Sequence, residues 1–297
     1  MGVPGLTDFE LKQPDIRPKE PYAISVHVPW LNWGNVGDLT VKSLGQYFNA
    51  EKLAEFKRPG DFYSFSFYRD RSRSYVDDEG NRHMEFPNSR VYYASRNEHD
   101  LLLFHLLEPT QFGEIYVDRV VSLMKRLDVR RYVVAGAMGA GVPHTRPAIV
   151  IGRSSEPELT ERLKQMGIRE SFGGQYQGPT SILNMISLQL QHEGIATAGL
   201  IVNSPNYLGN FDNYRGAHDL LKILSELEGF NIPLEPIEAI ANNQSNEINQ
   251  QMAANPQYER MVRELESNYD TLIHQEENEA HVQLPPSIEK FLNGLQQ

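Results

Sequence analysis

Short apolar runs recur along the chain as far as residue 203, and each of them indicates a buried strand. Two of the runs, Leu101–Leu107 and Arg131–Ala137, are almost continuously apolar, which is typical of strands that are covered on both faces. The other three are Tyr22–Val28, Ala148–Gly152 and Thr197–Asn203. Together the five runs predict the central part of a β-sheet.

Stripes of apolar residues at helical spacing lie between these runs. Each stripe predicts one amphipathic helix that packs on the sheet. In chain order the stripes consist of Gly37, Val41, Leu44 and Phe48; Val117, Val120, Val121, Met124 and Leu127; Leu183, Ile186 and Leu190; and Ala217, Leu220, Leu221 and Leu224. Strands that alternate with helices predict an α/β fold with a largely parallel sheet inside a three-layer α/β/α core.

Two segments interrupt this alternation. Residues Phe62–Tyr93 are rich in arginine and aromatic side chains and contain the turn sequence DDEGN, which predicts a β-hairpin excursion. The segment 235–297 is acidic and has an apolar stripe two heptads long. This stripe consists of Tyr258, Val262, Leu265, Tyr269 and Leu272. We therefore expect a core domain over 1–234 and a helical extension over 235–297 that packs on the core or on a neighbouring subunit.

Charge and composition narrow the classes of function. The formal net charge is −11, and segment 235–297 contains eleven acidic and three basic residues. Such a surface repels phosphate backbones, so we expect no nucleic-acid partner. The absence of cysteine excludes a disulfide framework, a thiolate nucleophile and cysteine-ligated metal. The start of the chain lacks a secretory signal and no apolar run approaches the ~20 residues that cross a bilayer, so we expect a cytoplasmic protein with no membrane partner.

The segment WGNVGD follows the first predicted strand and opens the first predicted helix. Asn35 is placed to cap that helix, and Asp38 is favourable near its positive end. The free amides of such a helix start can also hold an anion, which Asp38 would oppose. Capping alone accounts for both residues.

The segment VPHTRP supplies His144 and Arg146 just beyond another predicted strand. In open α/β sheets, ligands bind outside the carboxyl ends of the strands. A histidine there can serve as acid or base, and an arginine can hold a carboxylate or a phosphate. A structural role, in which both side chains bond loop carbonyls, explains them equally well. Glu108, Tyr207 and Asn35 complete the candidates for a pocket at these strand ends.

The glycine-rich segments have simpler explanations than a nucleotide site. Gly136–Gly141 lacks the GxGxxG order and is followed by prolines, which favours a tight passage from strand to loop. Gly173–Ser181 precedes a helix that Thr180 or Ser181 would cap. Phosphate-loop, zinc-helix and nucleophile-elbow motifs are absent, and the nine histidines lack metal-ligand spacing. We therefore expect no cofactor and no metal.

Several segments, spread over nearly the whole chain, occur in a specific order: WGNVGDLTVKSLGQYFNAEKLAEF, DFYSFSFYRDRS, DDEGNRHMEFPNS, EPTQFGEIY, VPHTRPAIVIG, YQGPTSILNMI, SPNYLGNFDNYRGAHDLLKILSEL and LPPSIEKFL. In this order they resemble the proteasome assembly chaperone 2 family, in particular its longer bacterial members. The resemblance implies a three-layer core related to phosphorylase/hydrolase-like folds and a tendency to self-associate. The eukaryotic and archaeal relatives bind subunits during the assembly of proteasome rings, without catalysis, whereas the bacterial members have no settled activity that the family could lend to this chain.

Two features depart from the family pattern. Leu106 and Leu107 precede the Glu-Pro pair, where members commonly have glycine. The sequence ends in GLQQ, whereas some proteasome-binding members end in a hydrophobic–Tyr–X tail that docks into ring pockets. Docking by such a tail is therefore not expected of this chain.

Two hypotheses follow for the function. The favoured one is a non-catalytic, assembly-chaperone-like protein that binds copies of itself, with a trimer as one option, and other proteins. The alternative is a small-molecule-binding protein or enzyme, phosphorylase/hydrolase-like or a ligase, with a pocket at the carboxyl ends of the core strands. His144 would then be the acid or base, Arg146 the anion clamp and Asp38 the orienting carboxylate. A ligase would also need ATP and magnesium ligands, which the sequence does not reveal.

Overall fold

The described part of the chain contains ten strands and seven α-helices. A computed structural model describes residues 6–171, 181–209 and 211–281. The strands are β1 (Phe9–Leu11), β2 (Tyr22–Val28), β3 (Glu51–Phe56), β4 (Arg73–Val76), β5 (Arg82–Glu85), β6 (Arg90–Ala94), β7 (Leu101–Leu107), β8 (Arg131–Ala140), β9 (Ile149–Ser154) and β10 (Ala196–Pro205). The helices are α1 (Val36–Tyr47), α2 (Gly113–Arg126), α3 (Pro157–Gln165), α4 (Ile182–His192), α5 (Tyr214–Glu228), α6 (Glu235–Ala253) and α7 (Pro256–His281).

Eight of the strands form one mixed sheet in the order β1-β3-β6-β7-β2-β8-β10-β9. The four neighbouring strands β7, β2, β8 and β10 are parallel, whereas β1, β6 and β9 run antiparallel to the strands beside them. The prediction of a largely parallel sheet is therefore wrong at both margins. A parallel neighbour needs a long crossover, usually a helix, but β6 and β9 follow connections that contain no α-helix.

The five predicted strands all occur in this sheet. β2 and β7 have the predicted bounds, and β8, β9 and β10 run a few residues further than predicted. Every residue of β7 except His105 is buried, as its continuous apolar run indicates. The strands β1, β3 and β6 were not predicted, because they are short and carry charged residues that make them look like loop in the sequence.

Helices flank the sheet and confirm the three-layer α/β/α prediction. α1 and α5 pack on each other and on the central strands, α2 and α4 form a second pair, and α3 packs on β9. The four predicted stripes lie in α1, α2, α4 and α5. α1 lies so close to the sheet that a Cβ atom on Gly37 would be 2.1 Å from Val26 Cγ2. Only glycine permits this approach.

The predicted β-hairpin excursion is confirmed but is narrower than Phe62–Tyr93. β4 and β5 form a separate two-stranded sheet. At the start of the excursion, the rings of Phe62 and Tyr63 are fully buried and contact Tyr116 of α2. At its end, β6 pairs with β3 and β7 in the large sheet. The excursion therefore combines core residues with an exposed ribbon.

The described part of the acidic segment, residues 235–281, forms two helices. α6 packs along α5, and α7 crosses the loop between β8 and β9. Tyr269 of α7 joins Val142 and Ile149 in a small apolar cluster, and its hydroxyl donates to the carbonyl of Pro147 (3.0 Å). Val262 of the same stripe is also buried. Neither these helices nor any other helix among the described residues is long and apolar enough to cross a membrane.

Side chains cap several of the helices, among them α4 and α5. Ser181 Oγ accepts a hydrogen bond from the amide of Leu183 at the start of α4 (3.2 Å), and Asn213 Oδ1 accepts one from the amide of Gly216 in α5 (2.9 Å). Each bond satisfies an amide that has no partner within the helix. The remainder of the glycine-rich segment, 173–180, lies outside the described residues.

Asn35 does not cap α1, so that prediction is wrong. Its backbone is left-handed (φ 53°), and its side-chain amide donates to Asp212 Oδ1 (2.7 Å). The capping bond comes from Asn32, whose Oδ1 accepts from the amide of Asp38 (3.0 Å). The left-handed turn at the helix start moves the capping role three residues upstream.

Gly136 marks a close passage of two backbones within the glycine-rich run of β8. A Cβ atom there would lie 2.2 Å from the carbonyl oxygen of Leu31, and the next amide, that of Ala137, donates to this oxygen (3.1 Å). Gly136–Ala140 continues the strand, so the run does not form a phosphate-binding loop.

Candidate functional site

His144 lies in the loop between β8 and β9 and is hydrogen bonded on both ring nitrogens. The hydroxyl of Tyr207 accepts from the amide of His144 (2.8 Å) and lies 2.6 Å from its Nδ1, and Nε2 lies 3.0 Å from Asn249 Oδ1 of α6. Because the amide oxygen of Asn249 can only accept, Nε2 carries the proton and donates to it. In the neutral imidazole Nδ1 then accepts from the hydroxyl of Tyr207. Burial lowers the pKa of His144, in agreement with this neutral form.

Arg146 is bound by two carboxylates of α7. Its Nε and Nη2 donate to the two oxygens of Asp270 at 2.8 Å each, and its Nη1 lies 3.2 Å from Glu266 Oε1. Glu266 also accepts from the hydroxyl of Thr145. The hydrogen bond to Asp270 raises the pKa of Arg146 well above its usual range. We call this arrangement the loop–helix clasp: His144 and Arg146 of the loop with Asn249, Glu266 and Asp270 of α6 and α7.

The hydrogen bonds of the clasp limit the availability of His144 and Arg146 for binding a ligand. The bidentate face of the guanidinium, which an arginine uses to hold an anionic ligand, is occupied by the chain's own carboxylate. An open cleft of about 840 Å³ adjoins the loop and extends toward Arg215 and Lys222 of α5. The pocket is therefore not closed, but both nominated side chains are engaged by helices of the same chain. They bond the side chains of α6 and α7 and not the loop carbonyls.

Asp38 belongs to a different site. Its Oδ1 lies 2.8 Å from Nε2 of His105 on β7, its Oδ2 accepts from Asn32 Nδ2 (3.0 Å), and Arg71 is 3.7 Å away. Burial alone would raise the pKa of Asp38, but the hydrogen bond with His105 and the charges of His105 and Arg71 outweigh it, so this pKa lies below its ordinary value. The alternative hypothesis requires Asp38 to orient His144. The structure instead pairs Asp38 with His105.

Sequence reasoning missed His105. It is the single polar residue of β7, in the run LLLFHLL, and about one fifth of its side chain is exposed. A polar residue inside a continuous apolar strand was the available signal. It did not stand out, because nothing in the sequence shows that α1 brings Asp38 to it.

Glu108 lies at the carboxyl end of β7 in a third environment. Its Oε1 accepts from the amide of Ile182 at the start of α4 (3.0 Å), and its Oε2 is 3.6 Å from Nδ1 of His27, a fully buried residue of β2. Its carbonyl oxygen accepts from the hydroxyl of Tyr68 (2.6 Å). The six predicted site residues therefore fall into separate groups, and only His144, Arg146 and Tyr207 belong to one loop environment.

The exposed ribbon of β4 and β5, with its flanking residues, is the other distinctive surface. We call residues 65–86 the hairpin arm. Every residue of both strands is exposed. Six large apolar side chains of the arm are in contact with solvent: Phe65, Phe67, Tyr75, Val76, Met84 and Phe86. Phe67 and Met84 are about two thirds exposed, at 65% and 66%. This is an unusual concentration of apolar surface for one short segment.

Polar contacts at the tip give the hairpin arm its shape. Asp77 Oδ1 accepts from the amides of Glu79 and Asn81 (3.1 and 2.8 Å), and its Oδ2 lies 2.6 Å from His83 Nε2. The hydrogen bond with His83 is the main reason that the pKa of Asp77 lies below its ordinary value. The ring of His83 stacks on that of Tyr75 across the two strands, with centroids 5.2 Å apart.

Within the described ranges, no group of three or more His, Asp or Glu side chains is arranged to hold a metal ion. The charged side chains of the clasp and of the Asp38–His105 pair bond one another directly.

Comparisons with known proteins identify a family for this chain and solved structures with a similar fold. A model of the PAC2 family matches residues 27–252. A search of curated proteins finds no match. Among solved structures, the chain is similar to Rv2714 of Mycobacterium tuberculosis, a protein of unknown function (24% identity, 94% of each chain, TM-score 0.78), and to a PAC2 family protein of Streptomyces avermitilis (24% identity, 82% of this chain and 99% of that one, TM-score 0.71). It is also similar to Rv2125 of M. tuberculosis, described as a proteasome-assembly chaperone homologue (22% identity, 81% and 99%, TM-score 0.69). At these identities the likeness establishes the fold.

Proposed function

This chain belongs to the PAC2 family, and from that premise we propose that it is a non-catalytic, assembly-chaperone-like protein that binds copies of itself and other proteins through its hairpin arm. The exposure of the arm carries this proposal. Six large apolar side chains lie in solvent on a segment of 22 residues, 65–86. Soluble monomers rarely expose large apolar patches, and such patches mark surfaces that bind other proteins.

The marginal stability and unpaired edges of the β4–β5 ribbon also support a protein-binding function. A two-stranded hairpin is at best marginally stable in water unless further strands or a helix cover it. Among the described residues, β4 and β5 pair only with each other, so the outer edge of each strand retains unpaired backbone groups. Such edges accept an additional strand from another chain. A partner that covers the arm would therefore add both backbone hydrogen bonds and apolar burial.

The loop–helix clasp supports a non-catalytic role for the loop. A general base must be able to reach substrate, and an anion clamp must have free donors. His144 and Arg146 are instead bonded to Tyr207, Asn249 and Asp270 of the same chain. They fasten α6 and α7 to the core, which suits a rigid binding scaffold.

The test uses the triple variant Tyr75→Thr, Val76→Thr, Met84→Thr. All three positions are exposed, and threonine preserves the preference for strand. The control is Met185→Gln, Leu188→Gln, which removes two exposed apolar side chains from α4. We expect the parent and the control to form the same oligomer in light scattering, and the triple variant to have the mass of a monomer.

The first heterologous partners to test are the α and β subunits of a proteasome from a cell that contains this protein, because Rv2125 is described as a proteasome-assembly chaperone homologue. We expect binding by parent and control, measured by biolayer interferometry, and loss of binding by the triple variant. An unchanged mass and unchanged partner binding in the triple variant would contradict the proposal. A parent protein that is monomeric and binds neither subunit would also contradict it.

A further inference from the structure

A groove lies between α1 and β6 on one face of the large sheet. Its floor is formed by alternate residues of β7 and their cross-strand partners in β6: Leu103 opposite Tyr92, and His105 opposite Arg90. Its wall is one face of α1, from Asp38 to the end of the helix. The groove measures about 770 Å³, which is in the range of pockets that hold small molecules.

Most of the groove is apolar. Leu103 is fully buried beneath it, and Tyr92, Val41 and Ala50 also line it. Gly45 of α1 keeps the groove open, because a Cβ atom there would already be 3.7 Å from Leu103 Cδ1. Any larger side chain at this position would occupy the space over Leu103.

The charged side chains and His105 lie toward one end of the groove, whereas Gln46 and Asn49 line the other end. His105 Nε2 donates to Asp38 Oδ1 (2.8 Å). Arg90 uses Nε for its bond to Glu55 (3.3 Å), and its terminal nitrogens have no other partner in the described chain. Lys42 stands on the rim and is exposed.

These groups select an anion. Asp38 is already satisfied by His105, Asn32 and the nearby Arg71, so it does not present a free carboxylate to a cation. Arg90 and Lys42 remain as cationic donors. The planar guanidinium of an arginine matches the two oxygens of a carboxylate.

We propose that the α1–β6 groove binds a carboxylic acid with an apolar body. The carboxylate contacts the terminal nitrogens of Arg90, and the apolar body lies over Leu103 and Tyr92 beside Gly45. The exposed apolar side chains of the hairpin arm do not line this groove, and the proposed assembly function is not needed for it.

The probe is sodium 3-phenylpropionate, with benzoate and octanoate as acids of other shapes. Its neutral analogue 3-phenylpropanamide tests the charge, and acetate tests the apolar body. Saturation-transfer difference NMR detects binding, and isothermal titration calorimetry measures Kd. We expect at least one of the three acids to bind. The amide should bind at least about tenfold more weakly than that acid, because a hydrogen bond to a charged group contributes about that factor or more. Acetate should also bind at least about tenfold more weakly, because it has no apolar body to bury over Leu103 and Tyr92.

Two variants locate the binding. Arg90→Gln removes the guanidinium and is expected to weaken the acid at least about tenfold, whereas Arg58→Gln, the same change at an exposed arginine elsewhere, leaves Kd unchanged. Gly45→Leu fills the groove and is expected to abolish binding while the protein remains folded, since leucine is a better helix former than glycine. The arm variant Tyr75→Thr, Val76→Thr, Met84→Thr should bind the acid like the parent.

The proposal is overturned if none of the three acids shows saturation transfer at millimolar concentration. It is also overturned if the amide binds as tightly as the acid, or if Arg90→Gln or folded Gly45→Leu retains the Kd of the parent. Thermal unfolding of each variant verifies that a loss of binding is not a loss of fold.

Discussion

The loop–helix clasp consists of charged and polar side chains that are bonded within the chain, whereas the hairpin arm exposes large apolar side chains to solvent. The clasp contains charged and polar side chains, and each of them has a partner in the same chain: Arg146 with Asp270 and Glu266, and His144 with Tyr207 and Asn249. The arm contains large apolar side chains that have little to cover them. The charged and polar residues, which suggest a catalytic or binding site, are thus bonded within the chain. The large apolar residues of the arm, which suggest a core, are exposed and available to a binding partner.

A protein that recognises another protein needs an accessible binding surface and a rigid scaffold that carries it. The clasp fastens α6 and α7, which belong to the acidic segment, across the loop between β8 and β9. The arm extends from the opposite margin of the sheet, between β3 and β6. Four predictions test this division, in order of decreasing effect on stability.

Tyr269→Ala is expected to destabilise the protein by about 2–5 kcal/mol. The ring is only 9% exposed, lies against Val142 and Ile149, and donates to the carbonyl of Pro147. Tyr258→Ala is the matched control on the same helix, because that ring is 49% exposed, and it should change stability by less than about 0.5 kcal/mol. Urea denaturation measures both. Equal effects of the two substitutions would show that α7 is not fastened to the loop.

Gly37→Ala is expected to cost about 1–3 kcal/mol, because the added methyl group must displace Val26 or move α1 away from the sheet. Gly45→Ala on the same helix has ordinary space, 3.7 Å from Leu103, and should stabilise by up to about 1 kcal/mol through helix propensity. Thermal or urea unfolding distinguishes the two signs. A neutral Gly37→Ala would mean that the packed layers are looser than the structure indicates.

The clasp should weaken in acid. Because burial lowers the folded-state pKa of His144, the unfolded chain binds the proton more tightly, and stability falls as pH falls from the ordinary histidine value near 6.5 toward the lower folded-state value. The His144 contribution is fully present above that ordinary value. We expect His144→Gln to reduce the difference in unfolding midpoint between pH 7 and pH 5.5. An unchanged difference would show that protonation of His144 is not linked to folding.

The triple arm variant Tyr75→Thr, Val76→Thr, Met84→Thr should have the smallest effect on stability, within about 0.5 kcal/mol per site, because these side chains bury little surface in the isolated chain. The measurement is made at a protein concentration low enough to give monomers. A large loss of stability under that condition would show that the arm packs on its own chain and is not held free for a partner.

Much of the fold could be predicted because it rests on local pattern. The continuous runs of β2 and β7 and the apolar stripes of α1, α2, α4 and α5 occur where periodicity places them. The DDEGN turn predicts the hairpin for the same reason, since Asp77 and Gly80 make the turn through their own backbone and side-chain geometry. The strands β3 and β6 escaped prediction because their short, partly charged sequences acquire strand structure only from their neighbours in the sheet.

The candidate site was less predictable, because it depends on contacts between residues far apart in the chain. Asp270 lies 124 residues from Arg146, Asn249 lies 105 residues from His144, and Asp38 lies 67 residues from His105. His144 and Arg146 were correctly placed at a strand end. Their partners on α6 and α7 were not predicted, and neither was the pairing of Asp38 with His105.

The sequence by itself determined the α/β class, the order of the elements and the family, because periodicity, turn chemistry and the order of motifs are properties of the chain read in one direction. The tertiary structure decided which polar side chains are free and which are bound. It directed Arg146 to Asp270 and left the ring of Phe67 in solvent. The physical reason is that desolvation and pairing act through space, and a side chain's partner is set by the packing of whole helices and strands.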